Sequence, residues 1–276
     1  MSTQQLQRIE AHGWRVGFNN LLRKENGEWW GTRTWWAQAI IWGLILNGIL
    51  GILLWGPVTT PADMTPDEAA ALQAARDTIA EGLQVFIIMA GMALPIGVTI
   101  IGQGLILDEK RSGTLEWVLS KPASRTAVIA SKLIASAIGI IVILVALQGV
   151  LAYIQLALKG MPPDVLPFIG GMSLVALNAL FYLALTVMLG VLLEGRGGVI
   201  GIAMLLIFGY QFIVGLAPWL FEIMPWGLAS QGPTPPLAIL VAEGQPLTSV
   251  TPIVATVAWI VAFIAIAIWR FRKEEF

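Results

Sequence analysis

Six stretches of this chain, at about 35–55, 84–107, 128–158, 166–193, 199–217 and 253–270, are each long and apolar enough to cross hydrocarbon as a helix. They leave little freedom for anything else. With 57% hydrophobic and only 12% charged residues, a domain of this size could not hide them from water. In lipid the backbone must satisfy its own hydrogen bonds, so the expectation is an all-α integral membrane protein with six transmembrane helices. The third run exceeds the hydrocarbon thickness, and Lys132 near its start puts its first turns in the cytoplasm or the headgroups. The fourth and fifth are joined by the five-residue polar turn 194–198, which makes them antiparallel neighbours.

Six spans place both termini on one side. If that side is the cytoplasm, 14 of the 16 basic residues lie inside, with Arg76 and Lys159 outside, as the positive-inside rule requires. This reading gives a multi-pass protein of the plasma (inner) membrane with both termini cytoplasmic. Residues 1–34 form a cytoplasmic or interfacial amphipathic segment, and 35–276 the six-span domain. In the first segment Trp14, Phe18, Leu21 and Leu22 share one face while Arg15, Asn19, Asn20 and Arg23 take the other, so a helix lying along the inner leaflet and contacting membrane lipid is expected. Trp29, Trp30, Trp35 and Trp36 mark the headgroup level. Five basic residues precede the first apolar run, which is unlike a cleaved signal peptide, and the segment is expected to be retained. Thr65-Pro66 opens an exposed helix before the second span, and Pro95 within that span predicts a kink. Between spans five and six, residues 217–252 hold seven prolines among short apolar stretches and form a broken external segment, a lid or a re-entrant element.

Several chemistries are excluded. A net charge of −1 gives no basic surface, so no nucleic-acid partner is expected. There is no cysteine and one histidine, so no metal site is predicted. No Gly-Lys pair occurs anywhere, so the chain has no P-loop, is not an enzyme by itself and carries no cofactor or catalytic residue. Polar residues within the spans are neutral, and Asn47, Gln103, Gln148, Asn178, Tyr182 and Gln211 are candidates for lining a cavity or for joining helices. The lack of a mid-membrane charge disfavours an ion-coupled secondary transporter.

One charged interruption remains, 108–125, which reads DEKRSGTLEWVLSKPASR. Gly113 can end the second span's extension, and Thr114 can cap a short helix with Leu115, Val118 and Leu119 on one face until Pro122 stops it. A rigid cytoplasmic loop of this kind can transmit a push. Glu109, Gly113, Thr114, Glu116, Ser120, Pro122, Arg125 and Lys132 resemble the coupling loop of the type-2 ABC exporter permeases, at the expected place between spans two and three.

The resemblance implies a permease subunit paired with a second permease copy, as a homodimer or heterodimer, and with two copies of a separate cytoplasmic ABC ATPase that holds the ATP and Mg. It assigns coupling to Glu109, Arg111, Gly113, Thr114, Leu115, Glu116, Trp117 and Arg125. The expected activity is export of an amphipathic, lipid-like or drug-like substrate. The alternative is a membrane scaffold or assembly subunit that transports nothing.

Overall fold

A computed structural model describes residues 13, 15–56, 65–68, 70, 79–113 and 123–274 of the chain. The described residues form helices and turns with no strand. Helix α1 spans Phe18–Gly31, and a corner at residues 32–33 leads into α2, Thr34–Trp55, the first span. The second span is α3, Ile79–Gly102, which continues through a turn into α4, Leu107–Ser112. Then follow α5, Arg125–Leu158, and α6, Val165–Leu192. The fifth apolar run is two helices, α7, Arg196–Phe208, and α8, Tyr210–Leu216. Three short helices, α9 at Leu220–Ile223, α10 at Trp226–Ala229 and α11 at Leu237–Ala242, precede α12, Thr251–Lys273. Five helices are long and apolar enough to cross a membrane, and the bent α7–α8 pair makes a sixth.

The apolar pattern decides which helix lies where. The most apolar window of α6 is 78% buried, so α6 is the central post, while the same measure is 22% for α2 and α12, whose outward faces present Leu44, Ile52, Val254 and Val261. At 34 residues α5 is about 50 Å long, against roughly 30 Å of hydrocarbon.

Proline and glycine set the finer geometry. Pro95 inside α3 has no N–H to give the carbonyl of Gly91, and Asn178 Nδ2 on α6 donates to that carbonyl at 2.9 Å instead. Beside it, a Cβ on Gly91 would strike the Ala229 carbonyl, so α10 rests against the middle of α3. The segment between spans five and six therefore dips into the bundle as far as mid-length of α3. It is anchored at its far end by Gln84 donating to Glu243 at 2.9 Å.

The fifth apolar run, expected over about 199–217, is present as a broken span. It bends by 60° between α7 and α8 at Gly209, and the Trp226 indole donates to the Leu206 carbonyl at 3.0 Å, filling the ladder where the helix breaks. In the segment ahead of α3, Thr65 and Glu68 form a reciprocal capping box, with the Thr65 N–H donating to Glu68 at 2.9 Å. All the residues described there are exposed.

Candidate functional site

The ends of α3, α6 and α12 and the starts of α5 and α7 converge on one end of the bundle, and α1 lies across it. Charge concentrates here. Lys132, in the second turn of α5, is buried and bonds both Glu25 of α1 at 3.0 Å and Glu109 of α4 at 2.9 Å. Lys24 bonds Glu109 at 2.9 Å and approaches Glu28 at 3.3 Å. Burial alone would lower the Lys24 pKa, but the hydrogen bond and charge of Glu109, with Glu25 and Glu28 beside it, outweigh that and hold it above the ordinary lysine range. The cluster ties three elements together, with Lys132, Glu25 and Glu109 largely shielded from solvent and Lys24 and Glu28 at its open edge.

Packing reinforces the clamp. Gly139 of α5 leaves the space that the Trp29 ring fills, and a Cβ there would run into the indole. Leu21 and Leu22 pack against the core, Phe18 is half-buried, and Arg15, Asn19, Asn20 and Arg23 are exposed. Helix α1 is thus docked on the protein through the same face whose apolar residues suggested a membrane surface. Trp14 lies outside the described residues.

The loop's two roots are fixed separately. On the α4 side, Lys110 donates to the Val191 carbonyl and to Glu274, both at 2.8 Å, Arg111 donates to the Glu194 carbonyl at 3.1 Å, and Arg196 pairs with Asp108. Gly113 closes α4 in the left-handed region at φ 67°, where only glycine sits without strain. Thr114, Leu115, Glu116 and Trp117 lie outside the described residues, as do Ser120 and Pro122. On the α5 side, Ser124 caps the helix by accepting the Ala127 N–H at 3.0 Å. Arg125 donates to the carbonyls of Phe271, Arg272 and Glu274 at the end of α12. The loop therefore leaves from and returns to a surface to which α1, α5, α6, α7 and α12 all contribute.

A cavity of about 420 Å³ opens beside the clamp, bounded by α1, the first turns of α2, the end of α3 and Arg196. Gln103 lines it. The other neutral polar candidates join helices or lie elsewhere. Asn47 of α2 donates to Gln148 of α5 and accepts from Gln155, both at 2.9 Å, where the π-helical turns Gly43–Asn47 and Ile140–Ala146 widen the two helices. Asn178 holds the Gly91 carbonyl. Tyr182 is buried against Phe181 and borders a void of about 30 Å³, and Gln211 is exposed on α8. Among the described residues no group of three acidic or histidine side chains could hold a metal ion.

Lys24 and Glu25 escaped the sequence reading, although a signal was present. Glu25 falls at helical spacing among Leu21, Leu22 and Trp29, and a carboxylate on the apolar face of an amphipathic helix demands a partner.

A search of curated proteins returns no matching relative. The family profile described as "ABC-2 family transporter protein" matches residues 59–276, which takes in α3 to α12, the loop and Lys132. Members of that family are membrane subunits that work with an ABC ATPase and are not themselves catalytic. With more than half of its length matched, the chain belongs to the ABC-2 transporter family and is a membrane permease subunit of an ABC transporter.

Proposed function

We propose that the chain is the subunit through which a separate ATPase drives export of an amphipathic substrate, and that the loop 108–125 is where the ATPase pushes. The observation that carries this reading is the double anchoring of the loop's roots. A displacement of α4 pulls on Lys132 of α5, on the ends of α6 and α12 and on the start of α7 at once.

The charge asymmetry of the sequence supports a cytoplasmic position for this end, where an ATPase would find it. The ATP and Mg belong to the partner. Two permease copies and two ATPases give the symmetric arrangement in which closure of the ATPase pair drives both loops. Export is favoured over import because no sequence feature suggests a docking site for a soluble binding protein, and the neutral, weakly polar spans suit an amphipathic cargo.

The test is reconstitution of the permease with its ATPase, followed through ATP hydrolysis and substrate movement together. Gly113→Val and Glu116→Ala should each leave the permease inserted and at normal level, while substrate movement per ATP falls or the complex no longer assembles. Unchanged transport in both variants would remove the loop from the mechanism. A permease that never co-purifies with an ATPase would favour the scaffold alternative.

A further inference from the structure

The cavity beside the clamp shares Asp108, Glu109, Lys132 and Arg196 with the anchoring of the loop, but the space it encloses is not needed for coupling. Its lining includes the apolar side chains of Ile100 and Ile101 at the end of α3 and of Leu105 in the turn that follows. Its walls carry four carboxylates, Glu25, Glu28, Asp108 and Glu109, against two cations, Lys132 and Arg196. Counting Lys24, which bonds into the same cluster, still leaves one carboxylate in excess.

The pairing shows where that excess sits. Lys132 is shared between Glu25 and Glu109, Arg196 is engaged by Asp108, and the short bond of Lys24 goes to Glu109. Glu28 is held more loosely, at 3.3 Å from Lys24, and its side chain is 57% exposed. The exposed indoles of Trp30, Trp35 and Trp36 follow it on α1 and α2, and indoles of this kind favour headgroup depth. An open-sided cavity with surplus acceptor charge, apolar lining residues and indoles of headgroup preference beside it selects a cation that carries a tail.

We propose that this cavity binds the ammonium head of an amphiphile, with Glu28 as counter-ion and the carbon chain lying over Ile100, Ile101 and Leu105. The same chemistry is offered by a resident aminophospholipid and by a free long-chain amine. The first would be a structural lipid or a lipid cargo, the second a drug-like cargo. Only the word cargo rests on the transporter reading, since binding itself needs no ATPase.

The experiment uses the full chain in discs of a neutral glycolipid, titrated with a fluorophore-bearing alkyltrimethylammonium and, separately, with the alkyl sulfate of the same chain length. The ammonium probe is expected to saturate and to bind at least about tenfold more tightly than the sulfate. Glu28→Gln should weaken the ammonium probe by about tenfold without weakening the sulfate, so that the preference between them narrows, at an unchanged melting temperature. Ile101→Asn should weaken the ammonium probe through the tail instead. Adding phosphatidylethanolamine to the discs separates the sources: competition with the probe identifies lipid, and its absence identifies a free amphiphile. Equal binding of ammonium and sulfate, or a Glu28→Gln variant that binds like the parent, overturns the proposal. Neither result bears on the coupling loop, whose failure would appear in transport per ATP or in assembly with the ATPase.

Discussion

Single residues in this protein are best understood by asking what would be left unpaired without them. Asn178 donates to a carbonyl that Pro95 has orphaned. Asn178→Leu should therefore cost about 1–3 kcal/mol in unfolding free energy, and Pro95→Ala should reduce that cost by restoring the backbone donor. A cycle of four melting curves checks this, and additive effects would show that the two residues act independently. Lys132 is the stronger case, because Lys132→Met takes from the buried Glu25 its close cation and leaves it only Lys24 at 3.5 Å, at a cost of up to about 3 kcal/mol. Glu25→Gln in the same chain should recover most of the loss, since Glu109 retains Lys24. The contribution of Lys24 should be insensitive to pH across the neutral range. A raised lysine pKa means that its contribution is complete below the ordinary value of about 10.4 and fades only above it. Melting temperatures that fell between pH 6 and 9 in the parent but not in Lys24→Met would contradict this assignment. None of these pairings was legible in the sequence, because Glu25 and Lys132 are 107 positions apart and nothing in either neighbourhood names the other.

At the scale of elements, legibility divides by length. A span is announced by some twenty consecutive side chains, so all six apolar runs have counterparts in the structure, and Pro95 and the 217–252 prolines were visible as irregularities. The bend at Gly209 was not, because it depends on Trp226 reaching back from α10 to Leu206. The docking of α1 was half legible. Its amphipathic face was clear, but lipid and protein surfaces attract the same residues, and only Glu25 on that face and Gly139 opposite Trp29 tell them apart. Gly139→Val should drive the indole out and loosen α1 while the spans stay inserted. Limited trypsin digestion would read this as faster cleavage at Arg23 and Lys24. Unchanged cleavage would mean that α1 is held by its charges alone.

For the whole molecule, the question is which end faces the ATPase. The structure gathers Lys24, Lys110, Arg125, Lys132, Arg196 and the end of α12 at one end, and α9 to α11 enter from the other. Positive charge crosses a membrane poorly during insertion, so the first end should be cytoplasmic. A chain without cysteine allows this to be tested on an otherwise unmodified protein. Asn20→Cys and Lys273→Cys, both at exposed positions of the charged end, should react with a membrane-impermeant maleimide only after the cells are opened. Gln245→Cys and Thr248→Cys, exposed at the opposite end, should react in intact cells. The reverse pattern would put the loop outside, beyond reach of any ATP, and the coupling role would fall with it. If instead the expected pattern is found, adding the partner ATPase should protect a loop position such as Ser112→Cys and leave Lys273→Cys reactive. That contrast locates the push on the loop itself, since α12 ends at the same face and would be shielded equally by a partner that merely covered it.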